Sequence, residues 1–485
     1  MVLIQTYNFF SGNIPITVNI ESDKNDFVLI YKVSISSISA NTEVILEKIR
    51  DELVDKVKLG VADITDPKKV DYIRNKFKST IIYLLDKYLP DISEETKNFL
   101  TTYLMQKSFG LGKIEILMSD PDLEEVVINN AEEPIWVYHH KLGWLKTNVY
   151  LKDEELIKHY SSLIGRKVGR SITLLTPLLD AHLETGDRVN ATLYPISSRG
   201  NTITIRKFAV KTITIVDMIN NGVISISSAS LLWNSIQYEL SCLITGGTAT
   251  GKTSFLGAVC CFFPPNQRII SVEDTQEIKL PKYLHWIPMI TRQANVEGKG
   301  EVTMLDLIVN SLRMRPDRIV VGEIRRKQEA ETLFEAMHTG HSVYATLHAN
   351  DTEETINRLT NPPIDVPKVL LPSISLIIVM YRNRRTGIRR IFQISEVLRD
   401  SKYNVLLQLD MRSDKLTAIT KSQRLFPELE LTTGLTHQEI NENLREKGLV
   451  LRWMVKNNIK TVDEIGKVVG TYYVNKENLL RFVNK

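Results

Sequence analysis

Residues 240–263 read LSCLITGGTATGKTSFLGAVCCFF, and the fold is decided by this stretch. LSCLIT is a short buried-type strand, and Lys252 to Phe263 reads as a helix. Between them Gly246-Gly247-Thr248-Ala249-Thr250-Gly251-Lys252-Thr253 matches GxxxxGK followed by Ser or Thr at every fixed position. The glycines let the backbone wrap a phosphate with its N–H groups pointing inward, and the helix N-terminus adds positive potential. Lys252 brings a point charge to the outer phosphates, and the Thr253 hydroxyl is of the type that ligates Mg²⁺. The expected nucleotide-binding set runs from Gly246 to Thr253 and takes in Ser254; the ligands implied are ATP and Mg²⁺.

Outward from this loop, apolar strands alternate with helical stretches. RIISVE, RIVVGE and HSVYATL read as strands, while Leu305, Ile308, Val309 and Leu312 recur at helical spacing. A helix follows from Asp351, and short helices are expected around LRWMVKNN and ENLLRFV. This alternation argues for a mostly parallel sheet covered on both faces, an α/β fold.

Hydrolysis needs acids as well as a cradle. Glu323 ends the run Ile319-Val320-Val321-Gly322-Glu323, the form of a Walker B strand whose acid faces the metal, so Thr253 and Glu323 are the expected Mg²⁺ ligands. Glu273, Asp274 and Glu277 follow the strand IISV, read here as lying beside the phosphate-loop strand, where a carboxylate polarises the attacking water. Glu273 is favoured as the base because it ends the strand. His341 and His348 flank HSVYATL, and their spacing leaves two roles open: structural residues, or sensors of the γ-phosphate at the sheet's active edge. Arg188, Arg206, Arg292, Arg313, Arg315, Arg325 and Arg326 are the arginines weighed for neutralising transition-state charge. Arg188 and Arg206 precede the phosphate loop, so their use requires a second domain to close over the nucleotide.

The 485 residues exceed one ordinary core, and 43% hydrophobic with 24% charged residues is a globular balance. Texture separates residues 1–110, with strand-like FVLIYKVSI and helical periodicity through Leu84, Leu85 and Tyr88, from a mixed α/β section at 111–208, a linker at 209–222 and the chemistry-bearing section at 223–485. A formal charge of +4, with no basic groove interleaved with aromatics, does not suggest nucleic acid as a partner. Cys242, Cys260 and Cys261 have no metal-ligand spacing, which points away from zinc and toward a reducing compartment. The opening residues lack the pattern of a signal peptide. Leu370 to Tyr381 (LLPSISLIIVMY) is well short of the roughly 20 apolar residues that span a bilayer, so membrane work is expected through a partner.

GGTATGKT, SVEDTQEIKLP, SLRMRPDRIVVGEIR, TGHSVYATLHAND and RLTNPPIDVP together resemble the type II/type IV secretion ATPase superfamily, and within it the archaeal branch that powers pilus and archaellum assembly. DPDLEEVVIN, WVYHHKLGWLKTN, DAHLETGDRVNATLYP and TITIRKF are similar to that family's second N-terminal domain, and LRWMVKNNI and TYYVNKENLL to its C-terminal helices. The resemblance runs from about Ile114 to the end. It implies a RecA-like motor domain preceded by a smaller, sensor-like α/β domain. Gly246–Thr253 becomes Walker A, Glu323 the Walker B acid, Glu273 to Glu277 the aspartate box and Thr339 to Asp351, with His348, the histidine box. Arg188 and Arg206 become the arginines that reach a nucleotide held by the ATPase domain, as in a hexameric ring. Thr185 stands in LETGDR where the family usually has an acid, and the tetracysteine insertion of many bacterial members is absent, which favours the archaeal branch.

The function implied is a cytoplasmic homo-hexameric ATPase, peripheral at the inner face of the cell membrane. It would act on a polytopic membrane platform to assemble a type IV pilus-like filament or drive secretion. A nucleic-acid translocase and a nucleotide-gated scaffold with little turnover are the alternatives.

Overall fold

The structure, a computed structural model, describes residues 1–24, 26–35, 40–57, 70–109, 111–183, 185–208, 212–294 and 298–483. The start of the linker at 209–211, Gly110 at the first expected boundary and Glu184 of the arginine turn lie outside the described residues. The chain divides into two compact units, Met1–Val210 and Lys211–Lys485.

The first unit is built on one nine-stranded sheet. Its strands are β1 (Val2–Ser11), β2 (Ile14–Ser22), β3 (Ile30–Ser34), β4 (Leu123–Ile128), β5 (Trp136–His139), β6 (Gly143–Thr147), β7 (Leu178–His182), β8 (Arg188–Thr192) and β9 (Thr202–Arg206). They lie in the order β1-β2-β3-β6-β5-β4-β9-β8-β7. Period-two burial of Ile14, Ile16, Val18 and Ile20 gives β2 one core face, which the helices Ala40–Lys56, Val70–Tyr88 and Glu94–Phe109 help to cover. β3 and β6 pair in parallel through Ile30↔Lys146 and Tyr31↔Thr147. That pairing carries the motif-free first hundred residues into the same sheet as residues 123–206. The buried Asp120 carboxylate closes the seam, accepting the hydroxyls of Tyr7 at 2.6 Å and Tyr31 at 2.5 Å.

The second unit holds β10 (Cys242–Gly246), β11 (Arg268–Glu273), β12 (His285–Ile290), β13 (Arg318–Val321), β14 (Ser342–Leu347), β15 (Leu376–Arg382), β16 (Arg389–Val397), β17 (Tyr403–Asp410) and β18 (Lys415–Ala418). Their order is β12-β11-β13-β14-β10-β15-β16-β17-β18, parallel from β12 to β15 and antiparallel beyond. Every residue of β10, β13 and β14 is buried, as both faces of a parallel sheet require. Ile244 joins the core containing Phe255, Leu256 and the C-terminal helices, whereas Leu243 joins the opposite core with Ile308, Leu333, Phe334 and Leu359. This is a RecA-like α/β fold, preceded by a smaller α/β unit.

Two sequence readings change here, the place of β11 and the length of a C-terminal helix, and the apolar stretch at Leu370 to Tyr381 finds its place. β11 is not beside the phosphate-loop strand; β14 and β13 lie between them, because the chain steps outward after β10 and fills the gap later. LLPSISLIIVMY becomes a 3-10 turn at Lys368–Ser373 followed by β15, a central strand paired with β10, and its apolarity is that of a strand covered on both faces. Among the described residues no helix is long and apolar enough to cross a membrane. The C-terminal helix His437–Lys456 runs 20 residues, longer than expected, because a Thr436/Glu439 capping box starts it early and Ile440, Val450, Leu451 and Met454 keep one face buried.

Candidate functional site

Because β10 to β15 run parallel, their carboxyl ends share one edge. Gly246 closes β10, Glu273 closes β11, Glu323 follows β13 and His348 follows β14. His341 precedes β14 and therefore sits at the opposite edge, where its Nδ1 lies 3.2 Å from Ala336 O. Of the two histidines, His348 alone stands at the edge that holds the phosphate loop.

The loop itself is shaped for an anion. A Cβ on Gly246, at φ 150°, would come within 2.6 Å of Met380 O on β15. Gly251, at φ 91°, is the N-cap of the helix Lys252–Cys260, and no side chain caps that terminus. Its first N–H groups therefore point out of the helix without a side-chain acceptor, as a bound phosphate requires. Ala249 sits at φ 59°, a left-handed conformation that costs a non-glycine residue about 1–2 kcal/mol, and the Thr250 hydroxyl pins the loop by donating to Gly247 O at 2.9 Å. Thr248 and Ala249 are exposed, Thr253 is half-buried and Ser254 exposed. The Thr253 hydroxyl and the Glu323 carboxylate are hard oxygen donors, the type that suits Mg²⁺.

From the loop a polar chain crosses the sheet edge. Lys252 is buried and donates to Gly246 O at 2.9 Å and Gly247 O at 3.1 Å, and its Nζ lies 3.4 Å from the ring nitrogens of His348. His348 Nε2 is 3.0 Å from Glu323 Oε1. Glu323 Oε2 accepts from Arg325 Nε at 2.8 Å and Nη2 at 2.6 Å, and Arg325 Nη1 donates to Asp274 Oδ2. Burial draws the Lys252 pKa down, against the pull of Glu323. Burial, reinforced by the Lys252 charge, also holds His348 below the ordinary histidine range. A neutral imidazole between a cation and a carboxylate suits a relay of position more than a charge.

The two box glutamates differ. Glu273 is 2% exposed, and its Oε1 accepts the backbone N–H groups of Glu277 at 3.0 Å and Ile278 at 3.1 Å. Burial pushes its carboxyl up to about 7. Glu277 is exposed, and its charge acts on Lys252. Glu273 thus holds the turn through one oxygen from inside the protein, while Glu277 stands exposed on that turn.

In the first unit, Arg188 and Arg206 are cross-strand partners on β8 and β9. Asp180 on β7 holds Arg188 through two hydrogen bonds, Nε–Oδ1 at 3.2 Å and Nη2–Oδ2 at 2.9 Å. Thr185, in the place of an acid, bonds Asp187 at 2.6 Å, and Asp187 in turn accepts the N–H of Phe208. Of the other arginines weighed, Arg292 donates to Gly300 O, Arg313 is a helix C-cap, Arg315 takes a left-handed φ of 54° and Arg326 is a helix N-cap.

A family model described as "Type II/IV secretion system protein" matches residues 179–385, a span holding each residue of the polar chain. Over 247 residues the chain is 34% identical to an uncharacterized protein of Methanocaldococcus jannaschii, covering 50% of this chain and 91% of that one. The chain belongs to the type II/IV secretion system protein family. Two other M. jannaschii proteins, 38% and 35% identical, are matched over 42% and 58% of their own lengths, so the chain spans about half the length of those relatives. The type IV secretion system protein PtlH of Bordetella pertussis is 26% identical over 315 residues, 58% of this chain and 92% of that one. The solved ATPase DotB of Legionella pneumophila is 18% identical, with 74% of this chain and 94% of that chain covered and a TM-score of 0.42.

In this secretion-family chain, two residues near the loop escaped the sequence reading. Arg389 Nε donates to Ala249 O at 3.2 Å, and the Arg358 charge presses down the pKa of both Lys252 and His348. Arg358 had a signal, seven residues from Asp351 on one helix face. Arg389 lies in the dense run RRTGIRR, whose relevance follows from β15 pairing with β10.

Proposed function

We propose that this chain is a Mg·ATP-hydrolysing motor that acts as a homo-hexamer on a polytopic membrane platform and powers assembly of a type IV pilus-like filament or secretion. It would work in the cytoplasm, held at the inner face of the membrane by that partner. The observation that carries the hydrolytic reading is the single side chain, His348, joining Lys252 of the loop to the Glu323 carboxylate. A cradle without an acid binds nucleotide; a cradle linked to an acid through a polar ring has the parts to respond to its γ-phosphate.

In this reading the loop N–H groups and Lys252 hold the β- and γ-phosphates, and Glu277 orients and polarises the attacking water. Glu273 keeps the turn carrying Glu277 in place. Thr253 and Glu323 are the residues that would hold Mg²⁺, which would supply charge neutralisation for the phosphates. Arg188 and Arg206 neutralise transition-state charge when they are brought to the nucleotide, and Arg188 must exchange its Asp180 partner to do so. Family membership supports the motor role; the hexamer, platform and filament are carried over from the resemblance. Glu323→Gln is expected to bind nucleotide with near wild-type affinity and to lose turnover. Full turnover in that variant would remove Glu323 from the mechanism.

A further inference from the structure

Glu323 has both oxygens committed, and they face different partners. Oε1 meets His348 at 3.0 Å, on the side of the phosphate loop, while Oε2 is gripped by Nε and Nη2 of Arg325 at 2.8 and 2.6 Å. The guanidinium has one arm left, Nη1, and it goes to Asp274 Oδ2 on the far side. Asp274 Oδ1 accepts the Thr291 hydroxyl at 3.3 Å. One planar group thus spans acids that follow two different strands, β13 and β11.

Its own footing is firm. The backbone N–H groups of Arg325 and Arg326 both donate to Glu329 Oε2, at 2.9 and 3.0 Å, and Glu329 is buried at the start of the helix Lys327–His338. A guanidinium presents its donors in a fixed fork, so anchoring its main chain and two acids leaves little freedom for the carboxylate it grips. The side chain of Arg325 is 55% exposed, so the ion pairs themselves add little stability. What they set is direction.

We infer that Arg325 is a positioning residue of this centre: holding Glu323 through Oε2, it keeps Oε1 turned toward His348 and the phosphate loop, and it ties the strand of Glu323 to the acidic box at Glu273–Glu277. The inference rests on reading the site as an ATPase centre. The two acid-bearing strand ends then move as one body, and a displacement of the box re-aims Glu323.

The test uses the full chain with Arg325→Gln, Arg325→Lys, Asp274→Asn and the double variant Arg325→Gln/Asp274→Asn. Steady-state ATP turnover and affinity for a fluorescent ATP analogue in Mg²⁺ are measured on each. Arg325→Gln should lower kcat by about tenfold or more while nucleotide affinity stays within about threefold, since mis-aiming a held group costs rate more than binding. Lysine should not rescue, because a point charge cannot engage both acids in fixed geometry. Asp274→Asn should lower kcat to a smaller degree and add nothing to Arg325→Gln, the mark of residues acting as one unit. It also tests the bridge from its other end should Arg325→Gln fold poorly. Wild-type kcat in Arg325→Gln, or independent multiplying effects of the two substitutions, would overturn the inference. So would a loss of nucleotide affinity in step with kcat, which would make Arg325 a nucleotide contact. A wild-type chain that binds nucleotide without turnover overturns the ATPase reading itself, an outcome distinct from an active wild type matched by its variants.

Discussion

Glu273 Oε1 accepts the backbone N–H of Glu277 at 3.0 Å, so the two acids of one turn hold different posts. The first holds the turn from inside the protein through one oxygen; the second is carried on the turn that the first shapes. Glu277→Gln should therefore retain fold and nucleotide affinity and lose turnover by about 10²-fold or more, the scale of a lost general base. Glu273→Gln, whose amide oxygen still accepts both N–H groups, should keep a larger share of kcat. Steady-state kinetics on the two variants decide between them, and the reverse ranking would restore Glu273 as the base.

The same burial gives a stability signature. The Glu273 carboxyl titrates near 7 in the fold against 4.5 for an ordinary glutamate, so between those values the folded chain binds more protons than the unfolded one. Stability from this group falls as pH rises from about 4.5 to about 7 and is level above, a loss of about 3 kcal/mol at most. The difference in unfolding free energy between wild type and Glu273→Gln, followed from pH 4.5 to 8, should move in favour of the variant through this window. A constant difference would contradict it.

His348 links cation and acid as a neutral ring, since burial and Lys252 hold its pKa below the ordinary range. His348→Ala should lower kcat by about tenfold, the worth of a hydrogen bond to a charged group, with nucleotide affinity little changed. Turnover of the wild type should show no loss from this group between pH 7 and 8. A kcat equal to wild type in the alanine variant would take His348 out of the chain.

The helix Val462–Val474 grips the segment that leaves the acidic box. Asp463 accepts the N–H of Lys282 at 3.0 Å, and the Tyr283 hydroxyl donates to Gly466 O. A Cβ on Gly466 would lie 2.4 Å from Pro281 Cγ, so Gly466→Ala forces helix and segment apart. The expected result is a destabilisation of about 1–3 kcal/mol together with a lower kcat, read by thermal unfolding and turnover. Unchanged turnover in a destabilised variant would show that the C-terminal helices do not bear on the box.

Local chemistry was the legible part of this chain. GGTATGKT specifies its loop through glycines at positive φ and a helix that must start at Lys252, and RIISVE, RIVVGE and HSVYATL declare buried strands by composition alone. Long-range order was not legible. Nothing in RIISVE says that two later strands will separate it from LSCLIT, and nothing in Ile30 and Tyr31 announces parallel partners at Lys146 and Thr147. The β1–β2 hairpin is an intermediate case. Its turn, Gly12-Asn13 between Ser11 and Ile14, is a two-residue hairpin signal in the sequence, but the first of its flanking strands, VLIQTYNFFS, does not alternate strictly. Arg325 was one arginine among seven until the ends of β11 and β13 came together around it.

The most direct test of the central claim is steady-state ATP turnover measured against protein concentration, for wild type and Lys252→Ala side by side. The motor account predicts that turnover per chain rises with concentration as subunits assemble, and that it vanishes in the variant. A wild-type chain that binds ATP and stays silent at every concentration, or a variant that turns over as the wild type does, would contradict it.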